Sequence, residues 1–163
     1  TETQLQTIFR DGMSRLAGAV SIIASEGQHG KGGITATAVC SVSDTPPTLL
    51  VCINNGNELN PIIKANQHFT VNLLNHSQQA LANRFAGFDK VAMPARFEQG
   101  EWSKLLSGSP VLQDSIVSFD CQLTGIQEVG THTVMFGTVL GVKINEVKES
   151  PLLYFARAYT SVP

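Results

Sequence analysis

The strongest constraint on this chain is a run of period two. Between Ile34 and Ser43, the residues Ile34, Ala36, Ala38, Cys40 and Val42 fall on one side; Thr35, Thr37, Ser41 and Ser43 fall on the other, with only Val39 breaking the second set. Successive side chains of a strand point to opposite faces, so the spacing predicts a strand over 34–43 with one hydroxyl-bearing face. The glycine-rich segment Glu26-Gly27-Gln28-His29-Gly30-Lys31-Gly32-Gly33 ahead of it reads as a turn. Behind it, Asp44-Thr45-Pro46-Pro47 must turn as well, because proline removes ladder donors and restricts the preceding residue. A chain built this way doubles back on both sides of the strand.

The same period recurs. Val20 to Ala24, Thr48 to Asn54, Phe69 to Leu73, Val117 to Thr124 and Thr131 to Ile144 read as strands, the last bent, with Gly137 and Gly141 at bulges or close approaches. Helical spacing is confined to three places. Leu5, Ile8, Phe9, Met13 and Leu16 predict an amphipathic helix over 3–16, ended near Gly18 and packed over a sheet. Asn60-Pro61 predicts an N-cap and first helical residue of a short helix through Ala65. Ser77 to Ala86 is helical by its Leu81/Phe85 pair, with Gly87 as the cap. Residues 88–110 are expected to be an irregular connection with one short helix from Glu101 to Leu106. Many short strands with few helices predict a mainly β barrel or sandwich, not a βαβ repeat. At 163 residues, with no internal repeat or linker, the chain is expected to be one domain, 1–163.

Composition removes several functions. Hydrophobic residues make up 42% and charged residues 15%, which is too apolar and too weakly charged for disorder. Eleven Lys and Arg face 13 Asp and Glu, so the net charge of −2 gives no excess with which to neutralise phosphates, and nucleic acid is not an expected partner. No apolar run reaches the roughly 18–20 residues of a spanning helix, so no membrane is expected. The opening Thr1-Glu2-Thr3-Gln4 lacks the basic and apolar regions of a signal peptide, which makes the cytoplasm the expected location. Cys40, Cys52 and Cys121 are an odd set in apolar stretches without C-x-x-C spacing, and read as reduced core residues.

Motif chemistry is equally sparse. Neither G-x-G-x-x-G nor a P-loop nor G-x-S-x-G is present. His29, His68, His76 and His132 lack metal-ligand spacing, so no metal is expected. What remains is the hydroxyl face. It is either an ordinary threonine-rich solvent surface or a platform for a flat heteroaromatic ring, since Thr, Ala and Ser leave backbone N–H and C=O groups reachable.

The block Gly33-Ile34-Thr35-Ala36-Thr37-Ala38-Val39-Cys40-Ser41-Val42-Ser43, followed by Pro46-Pro47, resembles the G-x-T-A-x-A-x-x-S-V-S…P-P block of the flavin reductase-like family. Phe69-Thr70-Val71-Asn72-Leu73-Leu74 is similar to that family's F-x-V-N-x-L strand, and Gly130-Thr131-His132 to its G-D-H motif, in the same order. Leu81 to Gly87 and Leu153 to Tyr159 resemble the short members that serve as reductase components of two-component flavin monooxygenases. The chain departs from the pattern at Thr131, where Asp is common, and at Asn57, where Ser or Thr is common; both keep a small polar group.

The resemblance implies an FMN-binding split β-barrel, Greek-key-like, with a few peripheral helices and usually a homodimer. Such a protein takes a hydride from NADH or NADPH to FMN or FAD. Reduced flavin then diffuses to a separate oxygenase, here expected to hydroxylate an aromatic such as 4-hydroxyphenylacetate. The alternatives are a split-barrel flavoprotein with fixed FMN, acting as oxidase or electron carrier, and a non-enzymatic barrel module. On this resemblance Gly33, Thr35, Ala36, Thr37 and Ala38 would meet the isoalloxazine, with Ser41, Ser43, Cys52, Ile53, Asn54 and Asn57 at the rim, ribityl chain or phosphate. Arg84 and the helix start near Ser77 are phosphate candidates. Phe85 either walls the flavin or belongs to the core, and His132 is the nicotinamide-side candidate. Arg157 and Tyr159 either reach a flavin edge, across a dimer, or belong to a C-terminal strand with a snorkelling arginine.

Overall fold

The Thr3 hydroxyl accepts the Gln6 N–H at 3.1 Å while Gln6 Oε1 accepts the Thr3 N–H, a capping box that starts helix α1 at Gln4. In the computed structural model, which describes residues 1–146 and 149–163, α1 is Gln4–Met13 and stops short of the expected end at 16. Its apolar residues share one face as the spacing predicts, yet none is buried: Leu5 is 75% and Phe9 63% exposed. The expectation that α1 packs closely over a sheet is therefore corrected. The helix is anchored at its far end, where Ser14 O accepts the Ala156 N–H at 2.7 Å and Asp11 pairs with Arg157, and its apolar face overlooks the sheet across an open groove.

Strands β1 (Gly18–Ala19), β2 (Ser21–Gly27) and β3 (Gly30–Ala36) follow. The turn expected over 26–33 contracts to Gln28-His29, because Gly32 and Gly33 belong to β3. A Cβ on Gly33 would stand 2.7 Å from Phe85 Cε1, so the strand can lie here only without side chains. The expected strand over 34–43 is in fact two, broken at Thr37-Ala38, where Val39 N–H turns back to Thr37 O at 2.9 Å. Strand β4 is Val39–Asp44 and β5 Pro47–Asn54.

Helix α2 (Leu59–Asn66) and strand β6 (His68–Leu73) come next. Asn60 is not the N-cap: it is buried inside α2, and its amide donates to Ile53 O and Thr133 Oγ1, tying the helix to the strands below. A 3-10 turn, His76–Gln78, leads into α3 (Gln79–Ala86), closed by Gly87 at φ 83°. Instead of a helix over 101–106 there is a 3-10 turn at Pro94–Glu98 and a ribbon of β7 (Trp102–Lys104) with β8 (Pro110–Leu112), because Trp102 turns inward to pack on Phe85 and Phe97. Strands β9 (Val117–Val129) and β10 (His132–Ile144) form a long hairpin whose register shifts at Gly137 and Gly141, as expected of bulges. Finally β11 (Leu153–Phe155) pairs with β1, and β12 (Ala158–Thr160) with β11, in a small sheet.

The main sheet runs β3-β2-β6-β9-β10-β5-β4, every neighbour antiparallel. Its two edge strands, β3 and β4, are consecutive in the chain and separated by only Thr37 and Ala38. Edges joined so tightly must meet, so the sheet rolls into a split barrel. Ile23, Val51, Ile53, Phe69, Val71 and Met135 fill the interior, and a second cluster of Ile22, Leu74, Leu81, Phe85 and Leu112 lies between β2 and α3. With both faces covered, Ser21 to Ser25 is buried without interruption. Among the cysteines only Cys121 is a core residue: Cys52 is half-buried and Cys40 exposed, because β4 forms an edge whose outer face carries no cover.

Candidate functional site

The break between β3 and β4 makes the site. With no regular ladder at Thr37-Ala38, the chain opens a cleft of about 360 Å³, within the range of small-molecule sites. Its floor is Ile34, Thr35, Ala36, Thr37 and Ala38; Cys52, Ile53, Asn54 and Asn57 come from β5 and the turn after it. Ala86 and Phe88 close it from the end of α3, with Val20, Tyr154 and Tyr159 opposite. Three alanines on this surface hold back side-chain bulk, so a planar ring can approach the backbone.

Most polar side chains here have defined surroundings. Thr35 Oγ1 donates to Ala82 O at 2.6 Å, which fixes α3 against β3 and leaves the hydroxyl oxygen able to accept. Asn54 Oδ1 accepts the Gly56 N–H at 2.8 Å and Asn57 Oδ1 the Leu59 N–H at 2.9 Å, so both side chains shape the turn that rims the cleft. Tyr154 and Tyr159 stack edge to face at 5.5 Å; burial, then Tyr154, pushes the Tyr159 phenol above its ordinary pKa. Burial and the neighbouring Cys40 likewise raise the Cys52 thiol. No Lys, Arg, Asp, Glu or His lines the cleft among the described residues. The surface is therefore uncharged at neutral pH. These features fit an isoalloxazine: a flat, small-residue floor, aromatic and apolar walls, and amide groups at one rim.

Of the residues expected at the site, the fold brings together Thr35, Ala36, Thr37, Ala38, Cys52, Ile53, Asn54, Asn57 and Tyr159. Gly33 and Phe85 lie directly behind the floor, where the buried Phe85 ring packs at 5.0 Å on Phe97 and occupies the space a Gly33 side chain would need. Ser41 and Ser43 are exposed on β4 and do not line the cleft, because the break reverses which strand they pair with. Arg84 Nε sits 2.6 Å from Asp89 and Arg157 2.8 Å from Asp11, each outside the lining. The helix start near Ser77 is unsuited to phosphate: Asn75 already caps it, Ser77 Oγ donates to Glu149, and Asp114 and Glu146 border the same hollow. His132, cross-strand partner of Asn54, lies one step beyond the cleft, its Nδ1 at 2.8 Å from Thr131 Oγ1. Val20, Ile34, Ala86, Phe88 and Tyr154 were not expected at the site; only Phe88, an isolated aromatic just past the Gly87 cap, carried a readable signal.

A family model described as "Flavin reductase like domain" matches residues 13–163. The FMN reductase (NADH) RutF of Pantoea ananatis is 46% identical over 151 residues, covering 93% of this chain and 78% of that protein. The 4-hydroxyphenylacetate 3-monooxygenase reductase component of Escherichia coli is 43% identical over 154 residues, covering 94% and 90%. Among solved structures, the flavin reductase PheA2 superposes with a TM-score of 0.86 at 30% identity, covering 96% of this chain and 97% of that one.

Proposed function

The chain belongs to the flavin reductase-like family, and from that membership we propose that it is an NADH-dependent reductase of free flavin whose product diffuses to a separate monooxygenase. The observation that carries this reading is the uncharged cleft at the β3–β4 break. Flavin held there would take a hydride from the nicotinamide and a proton from water, so that NADH, H⁺ and flavin become NAD⁺ and reduced flavin. Hydride passes directly between rings held at roughly 3–3.5 Å, so stacking and orientation are what the protein must supply, and no acid–base group is needed at the floor.

Thr35 to Ala38 would carry one ring face, while Asn54 and Asn57 offer amide groups to the polar edge. Phe88, 74% exposed, and the Tyr154/Tyr159 pair would cover the ring loosely. Without a Lys or Arg in the lining among the described residues to grip a phosphate, such a cleft favours release over retention, as a diffusible product requires. His132, beside Asn54, would stand on the nicotinamide side.

Relatives carry both FMN reductase (NADH) and 4-hydroxyphenylacetate 3-monooxygenase reductase names, which supports NADH and FMN as first substrates. The partner is then an oxygenase that consumes reduced flavin, with 4-hydroxyphenylacetate the aromatic to test first. A homodimer accompanies this reading: Val42, Leu140 and Val142 leave apolar surface exposed on the main sheet. The test is absorbance at 340 nm with NADH or NADPH and with FMN, FAD, riboflavin or no flavin. Loss of NADH only when flavin is added is expected; no loss with any pair would sink the proposal.

A further inference from the structure

Beside the cleft lies a larger hollow of about 750 Å³, between α1 and the turn that joins β9 to β10. Leu5, Gln6, Phe9 and Arg10 wall it on one side, Asn54, Thr131 and His132 on the other. Asn54 lines both hollows, so they are neighbours across a single side chain. On α1, Leu5 and Phe9 form one i, i+4 pair and Gln6 and Arg10 another, so the helix presents an apolar ridge and a polar ridge side by side. The apolar ridge is left in water, Leu5 at 75% and Phe9 at 63% exposure. Arg10 Nη1 lies 2.7 Å from Glu2, and the rest of its guanidinium makes no hydrogen bond among the described residues.

We propose that this hollow receives the adenosine diphosphate half of NADH. The adenine would lie against Phe9 and Leu5, the pyrophosphate oxygens would accept hydrogen bonds from Arg10, and the nicotinamide would pass Asn54 to reach the flavin. This rests on the reductase reading above, and adds to it a second clasp distant from the reacting rings. An aromatic ridge beside a planar cation matches a nucleotide, which needs a stacking face and a fork of donors together, better than it matches an apolar peptide. Among the described residues, Arg10 is the one Lys or Arg lining either hollow. Residues 4–12 of α1 lie ahead of the stretch matched by the family model, so family membership alone does not imply this clasp.

The experiment measures KM for NADH and for FMN in the full chain and in Arg10→Ala, Arg10→Lys and Phe9→Ala. Alongside, NAD⁺ and FMN are titrated calorimetrically into each protein. Loss of a charge-assisted contact should raise KM for NADH and the Kd for NAD⁺ about tenfold in Arg10→Ala, with only partial recovery in Arg10→Lys, which keeps the charge without the fork. Phe9→Ala should weaken NADH about threefold or more, while KM for FMN and kcat stay within about twofold. Unchanged NADH and NAD⁺ constants in an active series would overturn the clasp and leave the reductase reading standing. A parallel rise in the FMN constants would also overturn it, since α1 would then act through the shape of the cleft. Should the unaltered chain fail to oxidise NADH with flavin, the reductase reading itself fails. The NAD⁺ titration then decides the hollow: weakening by Arg10→Ala upholds it, and absence of binding overturns it.

Discussion

Gly33 shows how a single residue positions the site. It sits where the floor of the cleft meets the aromatic trio of Phe85, Phe97 and Trp102, and an added Cβ would come within 2.7 Å of Phe85 and 2.9 Å of Phe97. Gly33→Ala should cost about 1–3 kcal/mol by overpacking, read from urea midpoints, because the rings it meets are themselves fully or nearly buried. A cost near zero would mean that the trio yields easily. His68 carries a pH dependence. Burial lowers its pKa from the ordinary 6.5, with Asp120 acting weakly the other way, while Nδ1 lies 2.6 Å from Ser109 Oγ. A depressed folded-state pKa means that the unfolded chain binds more protons, so the stability it contributes is full above about 6.5 and is lost as pH falls through the folded value. Urea midpoints at pH 7.5 and 5.5 should show this fall, and His68→Gln should reduce it; an equal fall in both proteins would assign the effect elsewhere. Both residues were legible in sequence only as a glycine before a strand and a lone histidine, because what they meet comes from 40 or more positions away.

At the scale of elements, the decisive feature is the joint between β3 and β4. Period two runs across 34–43 with one interruption, at Val39, and that interruption lies next to where the strand breaks. Alternation reports which way side chains point and says nothing of which strand they pair with, so one strand and two give the same pattern. The family resemblance put Ser41 and Ser43 at the rim of the cleft, yet Thr35 to Ala38, ahead of the pairing change, line it while the two serines stay exposed on β4. Helix α1 teaches the opposite lesson. Its amphipathic spacing is real, but the face is in water, and periodicity cannot distinguish a helix packed on a sheet from one standing over a groove. Ile8, 58% exposed on that face, does not line the hollow between α1 and the β9–β10 turn, so Ile8→Ser should change stability by no more than about 0.5 kcal/mol in chemical denaturation. A loss above about 1 kcal/mol would show that α1 packs against protein in solution.

For the whole molecule, the seven-stranded order follows from a chain that steps from one sheet edge to the other in two residues, which forces closure and leaves the cleft at the seam. Sequence pattern carried the mainly β class and most strands; the family blocks carried the barrel and the flavin. The resemblance put Tyr159 at a flavin edge, but neither source carried Tyr154 or the small sheet of β1, β11 and β12 that brings both rings over the cleft, since two- and three-residue strands leave no periodic trace. For such a reductase to serve a separate oxygenase, flavin must leave the cleft once reduced. The most direct measurement holds the protein with NADH on one side of a dialysis membrane and ferricytochrome c on the other, without oxygen, with and without FMN. Reduction of the cytochrome only when FMN is present is the predicted result. NADH consumed while the cytochrome stays oxidised would mean that the flavin is retained, and would contradict the account.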